Sequence, residues 1–582
     1  MTDRFGRENL DIAPRPTRRA NPGRGLVKVL DFVSINNWRS YIFLVVCALA
    51  FLLPGLLAIP PLDREEARFA QVTRQMIESA NYVDVRFQNE RLGGEDLAAY
   101  WLQGTVVQIA TAAGLPRAQV RIWLYRVPSL IGAIGAVLLT FWTALAFVGR
   151  RDAVLAGMML SASLVFGVVA RLASPAAMLL LLNLAAMGAM ARAYLAWQRG
   201  ETTVRPRWAI AAIFWTAIGG AVIVGGVSAL MIVALTTLTL AILDRSSGWI
   251  LLLQPVWGLL WLIVIIALWS AAVFAAGGDG HLLLETLGAP VFERLTSMSL
   301  FNGGPPGLQF VMFWATFWPG ATLAGLVVPA VWLARREPSL QFLLAWLIPS
   351  WIVIELFFPK MPHYVVPLLP AVAIMIAGAI ERKVLSDSPW LKHGPMWWFF
   401  VPAIVSVGAV VASIALTRHP TFAVWPFAAV AMILGLAAWL LYDINRAERS
   451  MLNAIAASLF ISLGIYGVLT PVLVSVFPSV QLSRQLRNMT CPQPMAASAG
   501  FHEPSIVFMT STSTVLTDAS GAADFLQQGP CRFVFVEAKQ ERAFAQRADT
   551  IGLRYAVVTR VEGHNYSKGR SVSIAIFRSE DN

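Results

Sequence analysis

Along most of the chain, apolar runs alternate with short polar or basic breaks. A helix needs about 20 apolar residues to cross roughly 30 Å of hydrocarbon. By that criterion the runs at 41–57, 122–148, 153–172, 175–196, 208–224, 227–243, 250–275, 308–334, 339–357, 364–380, 396–416, 422–442 and 452–475 predict about thirteen transmembrane helices. Two stretches between the first and second runs are helical without being spans. The first, 63–79, places Ala67, Phe69, Ala70, Val72, Met76 and Ile77 at helical spacing behind Pro60 and Pro61. The second, 97–113, is apolar but short and is bounded by Gly94 and Gly114. Both read as helices lying along the membrane surface. Beyond residue 478 the apolar runs shrink to strand length at 505–509, 532–536, 555–558 and 572–577, with helical patterns at 522–527 and 539–548. That alternation predicts a small α/β domain.

Composition sharpens the class. Of 582 residues, 57% are hydrophobic and 13% charged, where a soluble domain carries about 25% charged residues. The reading is an α-helical polytopic membrane protein. Its net charge of +12 does not point to nucleic acid, because the basic residues lie scattered in short loops rather than along one stripe. They act instead as topology determinants. With the N-terminus inside, alternation puts Arg150, Arg151, Arg245, Arg335, Arg336, Arg382, Lys383, Arg446 and Arg449 on the cytoplasmic side. Residues 1–37, rich in Arg with several Pro and Gly, read as a disordered basic cytoplasmic leader. Residues 38–476 form the transmembrane domain, with outer loops 58–121 and 276–307, and 477–582 form the outer α/β domain. Cys491 and Cys531 both fall in that domain, on the oxidising side, where a disulfide can form; whether the two are bonded is left open by the sequence.

The densest polar chemistry stands where the first run ends: Asp63, Arg64, Glu65, Glu66 and Arg68. Each charge would cost several kcal/mol in hydrocarbon, so the segment sits in water or lines a cavity. Glu355, among Ile and Phe residues, is expected to face a cavity or Lys360. Asp63, Glu65 and Glu66 are hard oxygen ligands suited to a divalent metal, but carboxylates at a helix start are also capping chemistry; the metal is left open.

The runs LDREEARFAQVTRQMIESANYV, YWLQ at 100–103, PPG at 305–307 followed by FWATFWPG, PKMPHYVVPLLPA at 359–371 and GHNYSKGR at 563–570 resemble the glycosyltransferase 39 and aminoarabinose-transferase-like group of the GT-C superfamily. The likeness runs from about Trp38 to the C-terminus. It implies a GT-C fold in the bacterial inner membrane and inverting transfer of a sugar from a polyprenyl-phosphate donor to a lipid or cell-envelope acceptor at the periplasmic face. An acceptor hydroxyl then needs a carboxylate base, and the leaving phosphate needs cations or a metal. On this resemblance the catalytic candidates are Glu65, Asp63 and Glu66, with Glu65 in the place of the family's aspartate. The donor-phosphate candidates are Arg68, Lys360, His363, Tyr364, Arg86 and Arg171, and Arg64 and Arg294 are further retained cations. The chain departs from the family where Gly94, Glu95 and Asp96 replace a basic triplet and where Pro175 replaces a second aspartate. Gly225, Gly226 and Val227 stand for a lysine-containing triplet, and Ser299, Leu300 and Asn302 for Gln, Glu and His. These exchanges keep a second reading alive: a catalytically degenerate relative that binds a lipid-linked ligand or a partner glycosyltransferase without turnover.

Overall fold

The computed structural model describes residues 25–63, 65–92, 96–201, 208–225, 227–287, 303–391, 393–417 and 422–580. Arg64, Gly94, Glu95, Gly226, Arg294, Ser299, Leu300 and Asn302, and most of the basic leader, lie outside the described residues.

The chain is a multi-pass helical membrane protein carrying a C-terminal sheet domain. Among the described residues eight helices are long and apolar enough to cross a bilayer, and a ninth span results if one sharply bent pair is counted as one. Three further apolar helices are shorter, at Asn37–Leu52, Trp208–Ile223 and Ser228–Asp244. The structure thus supports a polytopic bundle directly, while the count of thirteen goes beyond it.

Two expected spans are interrupted, each for a local reason. The run 153–172 divides into a helix at Arg150–Ala162 and a short one at Leu164–Val169. Between them Ser163 is extended and its hydroxyl donates to the Thr316 carbonyl at 3.1 Å. The run 308–334 bends by 117° between Leu308–Thr316 and Ala321–Leu333. Pro319 and Gly320 sit at that bend, where a missing N–H and a missing side chain both disfavour a continuing helix. Reciprocal indole bonds brace it: Trp318 Nε1 donates to Trp397 O at 3.2 Å, Trp397 Nε1 to Trp314 O at 2.7 Å and Trp398 Nε1 to Pro319 O at 3.1 Å.

The remaining helices that matter for the site come early in the chain. They are α1 (Leu26–Val33), α2 (Asn37–Leu52), α3 (Glu65–Ser79), α4 (Leu97–Ala112), α5 (Ile122–Ala144), α6 (Arg150–Ala162), α7 (Leu164–Val169) and α8 (Ala176–Gln198). Helices α5 and α8 pack closely because Gly132 leaves no side chain between them; a Cβ there would lie 2.8 Å from Met178 N. After α2 the chain turns at Gly55, with φ +76° and with Tyr466 O only 2.4 Å from where a Cβ would stand. That turn delivers residues 56–63 to the start of α3. Helices α3 and α4 fall on the two helical stretches expected from the sequence, and Thr73 Oγ1 donates to Gln103 Oε1 between them at 2.9 Å.

One end of the bundle is laced by ion pairs between helices. Arg151 pairs with Asp31 of α1 at 3.0 Å and with Glu448 at 2.9 Å, and Arg382 pairs with Glu337 at 3.4 Å. At the opposite end the first loop, the 359–363 turn and the C-terminal domain meet.

That domain holds a five-stranded mixed sheet. With β1 (Arg86–Phe87) and β2 (Glu90–Arg91) forming a small hairpin in the first loop, its strands are β3 (Met495–Ala499), β4 (Val515–Thr517), β5 (Arg532–Glu537), β6 (Tyr555–Asn565) and β7 (Arg570–Ser579), in the order β4-β3-β5-β7-β6. Strands β3, β4 and β5 are parallel, and β5, β7 and β6 antiparallel. Cys491 and Cys531 are bonded. The run 505–509, expected as a strand, is a helix at Pro504–Met509. Proline at its first turn fixes a helical φ, and its buried run of Ser505 to Phe508 carries no periodicity to distinguish the two.

Candidate functional site

Three acidic side chains within four residues point in three directions. Glu66, 2% exposed, meets Arg126, 0% exposed, in a two-pronged ion pair: Nε to Oε1 at 2.7 Å and Nη2 to Oε2 at 2.9 Å. The same carboxylate accepts the Leu62 N–H at 2.9 Å and the Ala173 N–H at 3.0 Å. Arg126 spends its other donors on the carbonyls of Leu56, Ile59 and Pro60 at 2.8 to 3.1 Å. Every lone pair and proton of the pair is used, which is the condition under which a buried ion pair is tolerated. The pair wraps residues 56–62 around one guanidinium and ties α3 to α5 and to the loop before α8.

Asp63 turns toward the C-terminal domain. Its Oδ1 accepts the Ser505 N–H at 3.0 Å, and its own N–H donates to Tyr566 Oη. Burial, with the nearby Glu503 carboxylate adding to it, pushes its pKa up to about 6, against the opposing pull of the bonds from Ser505 and Tyr566.

Glu65 opens α3, is exposed, and acts electrostatically on the His363 ring. His363 packs at a tilt against Tyr364 with ring centres 4.4 Å apart, and Tyr364 in turn meets Phe358 edge-on at 5.2 Å. Arg68 lies one turn along α3 from Glu65, on the same side of the helix. Its guanidinium, 44% exposed, reaches Glu90 of the hairpin at 3.4 Å. Glu65 thus links His363 and Tyr364 on one side with Arg68 of its own helix on the other.

The other predicted cations are placed elsewhere. Lys360, 2% exposed, is turned inward, where its ammonium donates to the Glu355 carbonyl and lies 3.2 Å from Glu355 Oε1. That oxygen also accepts the Gly307 N–H at 2.9 Å, so the PPG turn and the 359–363 turn are tied together. Arg171 is buried, its donors going to Pro54 O at 2.9 Å, Gly167 O at 2.5 Å, Ser462 Oγ at 3.0 Å and Phe51 O. Its guanidinium also lies 3.8 Å above the Tyr466 ring. Arg86 stays in the hairpin, paired with Asp84 at 2.7 Å. Pro175, at the family's second aspartate, lines a small cavity of about 10 Å³ with Gln103, Ser129, Ser174 and Met178, and no carboxylate borders it. Among the described residues no three His, Cys, Asp or Glu side chains are gathered as a metal would need.

Compared with known proteins, the whole architecture has a counterpart. The crystal structure of ArnT from Cupriavidus metallidurans bound to undecaprenyl phosphate aligns with a TM-score of 0.68 at 18% identity, over 92% of this chain and 97% of that one. The chain has the GT-C fold. The apo structure of the same protein aligns at 0.67 and 16% identity, over 93% and 98% of the two chains. In sequence, the undecaprenyl phosphate-alpha-4-amino-4-deoxy-L-arabinose arabinosyl transferase of Pectobacterium carotovorum subsp. carotovorum is 24% identical over 376 residues, 61% of this chain and 62% of the relative. That of Erwinia tasmaniensis is 24% identical over 373 residues, 62% and 63% of the two chains. The chain is thus similar to these arabinosyl transferases at low identity, and the matched stretch spans less than two thirds of their length. No family model matches it.

Within this GT-C frame, four residues important to the site's geometry were not singled out from the sequence. Arg126 had a signal, being a lone cation inside an apolar run, where an ionisable side chain implies a partner. Tyr566 lies in the GHNYSKGR run. Ser505 and Glu503 carried no signal, because their proximity to Asp63 depends on how the C-terminal domain folds back.

Proposed function

We propose that this GT-C chain is a glycosyltransferase of the bacterial inner membrane, with its N-terminus cytoplasmic and its C-terminal domain periplasmic. It moves a sugar from a polyprenyl-phosphate donor to a lipid or envelope-glycan acceptor at the periplasmic face, with inversion. The observation that carries this reading is the division of labour among the first-loop carboxylates. Glu66 is consumed by Arg126 and Asp63 by the C-terminal domain, which leaves Glu65 facing outward beside His363, Tyr364 and Arg68. Glu65 takes the proton of the acceptor hydroxyl as its oxygen attacks the anomeric carbon. The bond from that carbon to the phosphate oxygen breaks, and the polyprenyl phosphate leaves with the electron pair. Arg68, one turn along α3 from Glu65, is the cationic candidate for balancing the phosphate's charge, and His363, whose pKa burial lowers, can add a hydrogen bond as a neutral ring. Lys360 and Arg171 serve the scaffold, and Arg86 stands in the flanking hairpin. The relatives' names support the donor class, undecaprenyl phosphate carrying a pentose, and the ArnT structure was solved with undecaprenyl phosphate bound.

The commitment of Lys360 to Glu355 favours a second reading, a lipid-linked-ligand binder without turnover, since it removes one cation from the outer region. One assay separates the two. Purified protein in lipid is given radiolabelled polyprenyl-phosphate sugars and envelope lipids, and wild type is compared with Glu65→Gln. Transfer that the substitution abolishes supports the enzyme; donor binding with no transfer in wild type supports the binder.

A further inference from the structure

The C-terminal domain grips the first loop through side chains that the transfer chemistry does not use. Its 565–570 turn first fixes itself: Asn565 Oδ1 accepts Ser567 Oγ–H and Lys568 N–H, both at 3.0 Å. Asn565 Nδ2 donates to Glu503 Oε1 at 2.7 Å, and Lys568 Nζ stands 3.7 Å from the same oxygen. The turn thereby delivers Tyr566, packed on Phe477 at 5.2 Å, to the backbone of Asp63. From Asp63 the grip continues along α3. Gln71 Nε2 donates to Thr512 Oγ1 at 2.7 Å, Arg74 Nη1 to Phe508 O at 2.8 Å, and Thr512 Oγ1 to Glu78 Oε2 at 2.6 Å. Phe508 itself inserts edge-on against Tyr125 of α5, 5.4 Å between ring centres.

Glu65 follows Asp63 by two residues and begins the same helix, so its position is inherited from a backbone held on both sides of it. We propose that the C-terminal domain is a splint for the Glu65 turn, with Tyr566 as the positioning residue that sets where α3 begins. The catalytic consequence rests on the reading of Glu65 as the base; the docking itself does not.

The splint is sensitive to pH, and the sign follows from what surrounds Asp63. Glu503 and Tyr566 face it from the C-terminal domain, Lys568 is engaged with Glu503, and Glu66 on its own loop is neutralised by Arg126. With Asp63 raised to about 6, the docked form binds its proton more tightly than the free loop, whose carboxyl titrates near 4. Docking is strongest below about pH 4 and weakens as the pH rises through about 6.

Hydrogen exchange in lipid nanodiscs, corrected for intrinsic rates, reads the docking without requiring activity. In Tyr566→Phe the amides of 63–70 should exchange roughly tenfold faster, as expected for one lost hydrogen bond, while those of β5 are unchanged. Wild type should be better protected at pH 5.5 than at pH 7.5, and Asp63→Asn should lose that difference. Unchanged exchange at 63–70 in Tyr566→Phe overturns the proposal, as does a matching loss in β5, which would make Tyr566 a fold residue only. Retention of the pH difference in Asp63→Asn overturns the pH assignment. In the transfer assay Tyr566→Phe should lower kcat with donor KM unchanged. If Glu65→Gln has no effect there, the reading of the base fails while the exchange result still decides the splint.

Discussion

Glu65 and Glu66 are chain neighbours with opposite environments, and one substitution at each separates them. Replacing Glu66 with Gln turns one acceptor oxygen into an NH2 group that faces two donors. On the Oε1 side these are Arg126 Nε at 2.7 Å and Ala173 N at 3.0 Å; on the Oε2 side they are Arg126 Nη2 and Leu62 N, each at 2.9 Å. Either choice loses two bonds to the ionised carboxylate, one from the guanidinium and one from a backbone N–H, about 1.5–3 kcal/mol each. It also strands a guanidinium that is 0% exposed. The sum agrees with the about 3–5 kcal/mol seen when one partner of a buried pair is removed. Glu65→Gln breaks no bond to a described residue and should cost under about 0.5 kcal/mol, as surface substitutions do. The assay is thermal unfolding of both variants in one detergent, followed by the fraction that remains monodisperse. Glu66→Gln should melt several degrees below wild type, and Glu65→Gln should melt at the wild-type temperature. The reasoning is wrong if Glu66→Gln melts with wild type, or if the two variants fall together.

Arg171→Met should strand the Pro54 and Gly167 carbonyls and lower stability by about 3 kcal/mol or more. Folded material should still bind donor with unchanged affinity, measured by retention of labelled polyprenyl phosphate; a phosphate ligand would instead lose affinity without melting early. Reducing the Cys491–Cys531 bond opens a loop of 40 residues, worth about 4 kcal/mol in chain entropy. Limited proteolysis should then cut the C-terminal domain while the bundle stays intact.

The architecture was legible because membrane helices announce themselves by length and apolarity. Helix α3 was legible from a polar start with helical spacing behind it, and α4 from a short apolar run between glycines. What failed was local. Ser163 and the Trp318 to Gly320 corner divide runs that hydropathy alone reads as continuous, although Pro319 and Gly320 carried the warning. Strand β3, Met495 to Ala499, escaped because Ala and Ser have low strand propensity; it is a strand because it is flanked on both sides by parallel partners. At the site, the carboxylate cluster was visible, but not which member does what. That distinction depends on Arg126, 60 residues away, and on Ser505 and Tyr566, over 440 residues away. Glu355 facing Lys360 was readable, since a lone carboxylate in an apolar helix needs a cation.

The central claim is that, of Asp63, Glu65 and Glu66, it is Glu65 that accepts the proton of the acceptor hydroxyl. Single-turnover transfer from a radiolabelled polyprenyl-phosphate pentose, compared between wild type and Glu65→Gln at equal donor occupancy, tests it most directly. The account expects the labelled acceptor to form in wild type and to fall at least about a hundredfold in the variant, the lower range for a lost general base. Equal rates in the two proteins would contradict it.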